Sequence, residues 1–211
     1  MKTLAILGAG ALGTQIANMA LQDKHYSRII FFDDLADKSL IGKYMVAGTS
    51  NDIEKCFEAN LFHELIIGIG YNHLSRREEL FERFRSKISF GKIVHSSTWI
   101  DPTAQIGAGS VVYPGTTIDY KSQISHNCII NLDCTISHNS LVGAGTFLAP
   151  RVSIAGFVTV GKSCFLGINS TIIDNVSVAP QTQIGAGTVV IKNIEKQGLY
   201  VGNPARFIRE I

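Results

Sequence analysis

The chain has 211 residues, 45% of them hydrophobic, with a mean hydropathy of +0.19 and a formal net charge of +2. This is apolar material for one large domain or two small ones, and too little positive charge to point to a nucleic acid or a membrane surface as partner. No apolar run approaches the ~20 residues that cross a bilayer, so no membrane span is expected.

From the N-terminus, Lys2–Leu7 reads as a short apolar strand. Gly8-Ala9-Gly10-Ala11-Leu12-Gly13 follows, then an amphipathic helix from about Leu12 to Asp23. Arg28–Phe32 is a second strand, with Asp33 and Asp34 at its end. Strand, glycine loop, helix, strand and acid in this order form a dinucleotide-type fingerprint. Its glycines permit a tight turn and a close backbone approach. The helix N-terminus offers unpaired N–H groups to a phosphate, and an acid about 20 residues on accepts from a ribose. Gly8, Gly10, Gly13, Asp33 and Asp34 are therefore candidate substrate-binding residues. The alternative is a tight turn with no ligand. The first dozen residues resemble a weak secretion signal, but their glycines read better as this loop, and a cytoplasmic location is expected.

Leu40–Ile53 reads as irregular or strand, and Ile53–Asn60 as a helix. Leu61–Gly70 reads as a buried parallel strand whose carboxyl end, with Gly70 and Asn72, is where such sheets bind ligands. Leu74–Lys87 is an amphipathic helix with Leu80, Phe81 and Phe84 inward and a solvated charged face. About 90 residues of this kind suffice for one mononucleotide. No second half follows to hold a nicotinamide, which argues against a dehydrogenase.

From Ile106 to Val190 every sixth residue is aliphatic, without insertion or deletion. Two places before each stands a small or β-branched residue, among them Cys128, Cys134 and Cys164. This predicts a hexapeptide-repeat parallel β-helix of about five triangular coils, three hexads to a coil. The three cysteines fall in the small-residue column and read as buried packing; Cys56 lies outside it, and no disulfide framework is expected. After Val190 a loop leads to Gly202-Asn203-Pro204-Ala205-Arg206 and a short tail. The expected domains are 1–95, a Rossmann-like nucleotide-sugar-binding α/β half-domain, and 96–211, the β-helix with its C-terminal tail.

A hexad solenoid closed by Gly202–Arg206 and preceded by a small nucleotide domain resembles the family of sialic-acid O-acetyltransferases and bacterial nucleotide-sugar N-acetyltransferases. The resemblance also rests on Gly8–Gly13, Phe32-Asp33-Asp34, Gly68–Asn72, Asn131, His138, 165–170 and Ile184-Gly185-Ala186-Gly187. It implies a left-handed β-helix, a homotrimer, and acetyl-CoA as co-substrate with no metal. The implied reaction is acetylation of the 4-amino group of a UDP- or dTDP-linked amino-dideoxy sugar for a surface glycan. The family's basic histidine corresponds to His138, but Asn139 stands where the family has Glu or Asp. Phe147 stands where a second family histidine contacts the cofactor. The resemblance further implies that Asn131 flanks the acceptor and that Gly143, Phe147, Gly167, Gly185, Ala186, Lys192 and Arg206 line the cofactor site.

Of the other histidines, His25 and His63 read as surface residues. His126 shares the hexad phase of His138 but lies 12 residues away against an 18-residue coil, hence on another face. That spacing argues against a zinc carbonic anhydrase of the same architecture. An O-acetyltransferase acting on sialic acid and a non-catalytic nucleotide-sugar-binding protein are the other readings that the sequence leaves open.

Overall fold

Three apolar runs form the centre of the N-terminal sheet in a computed structural model, which describes residues 2–36 and 40–211. They are Thr3–Leu7 (β1), Arg28–Phe32 (β2) and Glu64–Ile67 (β5), with β1 paired in parallel to both others. Leu40–Ile41 (β3) and Tyr44–Val46 (β4) extend one edge, giving the order β3-β4-β2-β1-β5. Both faces of the central strands are covered, which is why β1, β2 and β5 read as continuous apolar runs rather than alternating ones. Helix α1 (Ala11–Gln22) packs against β1 and β2. Ala5, Leu7, Phe32, Leu65 and Ile67 pack with Ile53 of α2 (Ile53–Glu58) and with Leu80, Phe81 and Phe84 of α3 (Leu74–Phe84).

Tyr71–His73 forms a 3-10 turn ahead of α3. The charged face of α3 is not wholly solvated, because Arg77 is fully buried. Its Nη1 donates to the carbonyls of Ile67 at 3.0 Å and Ile69 at 2.7 Å. A buried guanidinium needs such acceptors, and here the strand end supplies them.

The second unit is built of two-residue strands in three parallel sheets. The register is one coil: Thr117 pairs with Thr135, Gln123 with Leu141, and Ile129 with Phe147. The aliphatic column lies inside and is buried from Val112 to Val190. Burial of each such side chain contributes about 1.5–3 kcal/mol. Every corner puts one residue in the left-handed region, six apart, from Gly109 through Asn127, Asn139 and Phe157 to Gly187. The solenoid also starts earlier than the repeat suggests. Trp99–Ile100 pairs with Thr117–Ile118 and is part of its ladder. Val94 and Ile100 are in phase with the aliphatic column, and both pack against the core.

The small-residue column is a hydrogen-bond ladder as well as a steric fit. Ser140 Oγ donates to the Ala155 carbonyl at 2.7 Å and accepts from the Val158 N–H at 3.1 Å. Thr146 does the same toward Gly161 and Cys164, and Ser110 toward Ser125 and Cys128. The chain ends in an antiparallel pair, Leu199–Val201 with Arg206–Arg209, laid on the Gln183–Ile184 strand. The chain forms two compact units, Met1–Ile93 and Val94–Ile211. No helix of the described residues is long and apolar enough to cross a membrane.

Candidate active site

The glycine fingerprint separates into two kinds of position. A Cβ at Gly13 would stand 1.9 Å from the Gly8 carbonyl oxygen, and one at Gly68 would stand 2.8 Å from Gly13 Cα. Gly8 has φ +108°, and a Cβ there would meet the Gly68 carbonyl at 3.0 Å. These three are glycines because the turn, α1 and the end of β5 touch one another. Gly10 and Gly70 differ: both have φ near −72°, open to any residue, and a Cβ at either would meet nothing within 4 Å. Neither the packing nor the backbone of the chain requires glycine there. Both positions face open space. Gly10 is the N-cap of α1, which carries no side-chain cap and no acid in its first turn, so its first amides are open to an anion.

Asp33 and Asp34 stand beside this turn and are both engaged. Asp33 Oδ2 accepts from the Ala9 N–H at 2.7 Å, and its Oδ1 accepts from the Leu35 N–H at 2.8 Å. Asp34 accepts from the N–H and hydroxyl of Ser50 at 2.7 and 3.0 Å. A carboxylate has about four lone-pair sites, so each acid retains acceptor capacity for a ribose. Asn72 is exposed in the 3-10 turn that Gly70 caps.

In the solenoid, His138 is exposed just after the Thr135–Ile136 strand. Its Nδ1 lies 3.3 Å from Asn139 Oδ1. Asn139, at φ +58°, occupies a left-handed corner that asparagine tolerates. One coil on, a Cβ at Gly156 would lie 2.6 Å from His138 Cε1 and 2.8 Å from Nε2, so the ring lies directly over this glycine. The Phe157 ring meets the imidazole edge-on, with centroids 5.1 Å apart. Gly156 and Phe157 escape the reading by motif. For Gly156 and Phe157 the signal was present: adding one 18-residue coil to His138 and Asn139 gives these two positions.

Asn131 is half-buried, its Oδ1 accepting from the Leu132 N–H at 2.8 Å. Gly143 and Gly167 lie under the next coil, where a Cβ would meet backbone atoms at 2.5 and 2.6 Å; Gly185 lies under the Val201 side chain. Their glycine identity therefore follows from coil stacking. Phe147 is buried, tilted on Phe165 at 5.9 Å between centroids. Ala186, Lys192 and Arg206 are exposed. Cys128, Cys134 and Cys164 are buried in the ladder, and burial pushes the thiols of Cys134 to about 12 and Cys164 to about 11, which disqualifies both as nucleophiles at neutral pH. His63 Nδ1 accepts from the Thr3 N–H, and His25 Nε2 lies 3.1 Å from Asp23, so both serve local structure. A cavity of about 340 Å³ lined by Glu54, Phe57, Glu58, Asn60, Lys87 and Ile88 contains none of the candidate residues.

An α/β unit with a ligand-ready glycine turn, followed by a left-handed β-helix carrying an exposed histidine, is the architecture of the hexapeptide-repeat sugar acetyltransferases. Residues 3–84 match the family model of the PglD N-terminal domain. The whole chain is similar to the acetyltransferase domain of PglB from Neisseria gonorrhoeae: 25% identity over 99% of this chain and 100% of that one, TM-score 0.91. It is equally similar to PerB from Caulobacter crescentus, solved with CoA and GDP-perosamine: 27% identity over 99% and 98%, TM-score 0.90. WeeI from Acinetobacter baumannii, at 21% identity over 99% and 100% with a TM-score of 0.84, shares the fold. No curated protein matches the sequence significantly.

Proposed function

We propose that this chain transfers acetyl from acetyl-CoA to the 4-amino group of a nucleotide-linked amino-dideoxy sugar, as a cytoplasmic homotrimer. One observation carries the reading. The chain superposes end to end on an enzyme solved with CoA and GDP-perosamine, and it keeps both a ligand-shaped glycine turn and an exposed, oriented histidine. The nucleoside expectation of UDP or dTDP widens to include GDP, the nucleoside of that relative's ligand.

The glycine turn and the α1 N-terminus receive the pyrophosphate at Gly10, with Asp33 and Asp34 toward the ribose and Gly70 and Asn72 beside it. Asn131 flanks the acceptor sugar. Gly143, Phe147, Gly167, Gly185 and Ala186 line the pantetheine path, with Lys192 and Arg206 toward the CoA phosphates. With its proton on Nδ1, His138 donates to Asn139 and leaves the Nε2 lone pair free. Nε2 removes a proton as the sugar amine attacks the thioester carbonyl. The resulting oxyanion is met by a backbone N–H at a solenoid corner. The C–S bond then breaks, and the thiolate takes the proton from the imidazolium, giving the N-acetyl sugar and CoA. No covalent enzyme intermediate is needed, because holding two substrates together supplies much of the acceleration.

The test is thiol release from acetyl-CoA with a panel of UDP-, dTDP- and GDP-linked 4-amino-dideoxy sugars, with His138→Ala beside the wild type. Turnover of one acceptor, reduced about 10²–10⁴-fold in the variant, is expected for loss of a general base. Release with sialic acid and with no amine would replace this reading by O-acetylation.

A further inference from the structure

Phe157 occupies a corner that its own backbone does not favour. The fourteen left-handed corner positions from Gly109 to Gly187 are filled by Gly, Asn, Asp, Lys, Arg, Ser and Gln, and by one aromatic residue, Phe157 at φ +58°. A bulky residue in this region is a genuine outlier. Burial does not account for it, because Phe157 is 55% exposed. Outliers of this kind persist where the surroundings need them, and they concentrate at functional sites. Its one aromatic contact among the described residues is with the His138 imidazole, at 84° between ring planes. The Phe157 N–H donates to the His138 carbonyl at 3.1 Å, which locks the two corners in register.

His138 needs such a partner. Its ring is exposed and its hydrogen bond to Asn139 is long, at 3.3 Å. A carboxylate at position 139 would hold the ring more strongly than a neutral amide does. With Gly156 as a floor and Phe157 as a wall, the imidazole is confined on two further sides without any charge. We propose that Phe157 is the positioning residue for His138: an aromatic strut, kept in an unfavourable backbone conformation, that orients the imidazole where Asn139 alone holds it weakly. This rests on His138 being the base proposed above.

The test compares Phe157→Gly and Phe157→Tyr with the wild type, using the nucleotide amino sugar that the wild type acetylates. Glycine is at ease at φ +58°, so Phe157→Gly keeps or raises the melting temperature. Its kcat falls roughly 10–100-fold, as expected when a base loses its orientation, with KM for both substrates little changed. Phe157→Tyr retains the ring and most of the activity. Full kcat in Phe157→Gly overturns the proposal, as does a loss of activity that coincides with a lower oligomeric mass, which would make Phe157 an interface residue. If the wild type acetylates no acceptor, the function assigned to His138 fails separately. The strut is then read from the His138 Cε1–H resonance of histidine-labelled protein: displacement in Phe157→Gly and not in Phe157→Tyr upholds the contact, and no displacement overturns it.

Discussion

His138 Nδ1 faces Asn139 Oδ1 at 3.3 Å, across a corner in which Asn139 adopts φ +58°. One residue thus combines two features: a backbone conformation that favours Gly or Asn, and a polar side chain within reach of the imidazole. An amide supplies both without charge, so it orients the ring but contributes little to stabilising an imidazolium.

Separating these roles gives the first prediction. Asn139→Gly keeps the corner unstrained and removes the acceptor; its melting temperature is preserved while kcat falls about tenfold, a part of what a general base supplies. Asn139→Asp keeps the shape and adds charge, and its kcat equals or exceeds that of the wild type. Thiol release and thermal melts on the same preparations check both.

A second prediction concerns the two kinds of glycine in the turn. Gly13→Ala places a Cβ 1.9 Å from the Gly8 carbonyl oxygen and must displace backbone. It destabilises by more than about 2 kcal/mol, in the range of overpacking. Gly10→Ala meets nothing within 4 Å, and costs only the roughly 0.5–1 kcal/mol that separates Gly from Ala at an N-cap. KM for the nucleotide sugar nevertheless rises about tenfold or more, because a methyl group stands where the pyrophosphate approaches. An unchanged KM in Gly10→Ala would remove the turn from the binding site.

Third, Ser140 is a rung of the internal ladder. Ser140→Ala leaves the Val158 N–H and the Ala155 carbonyl without this hydroxyl, at a cost of about 1–3 kcal/mol in urea unfolding. Ser140→Cys costs less, since Cys134 and Cys164 already donate to carbonyls at 3.3 Å in equivalent rungs.

Fourth, the buried thiols predict both reactivity and an alkaline limit. Native protein treated with iodoacetamide at neutral pH is alkylated at Cys56 and spared at Cys128, Cys134 and Cys164; unfolded protein reacts at all four. Because the folded state raises the thiols of Cys134 and Cys164 from the ordinary 9.0, their contribution to stability is intact below pH 9.0. It is lost as pH rises toward about 11 for Cys164 and about 12 for Cys134. Melting temperature against pH, in wild type and in Cys134→Ser, checks the sign.

The sequence by itself determined what depends on a local period. One coil is 18 residues, so the aliphatic and small-residue columns mark the inside of each face, the strand phase and the corners without any knowledge of long-range contacts. The same holds for the β1–turn–α1–β2 order, with β2 at Arg28–Phe32 as read. What only the tertiary structure decided depends on pieces that sequence distance separates. Gly68 is bound to Gly8 and Gly13 by the pairing of β1 with β5, and nothing near residue 68 announces that contact. Arg77 looks like one more charge on a helix face until the carbonyls of Ile67 and Ile69 are seen to turn toward it. The division of the fingerprint glycines into those the chain's own packing requires and those it leaves open is likewise invisible in one dimension, because it depends on which side of each backbone is empty. Phe157 stands one coil beyond Asn139, and stacking alone brings its ring to His138. Periodic burial is written into the sequence because each residue meets the same environment one turn later. A site forms where unlike segments meet, and that is decided by how they pack.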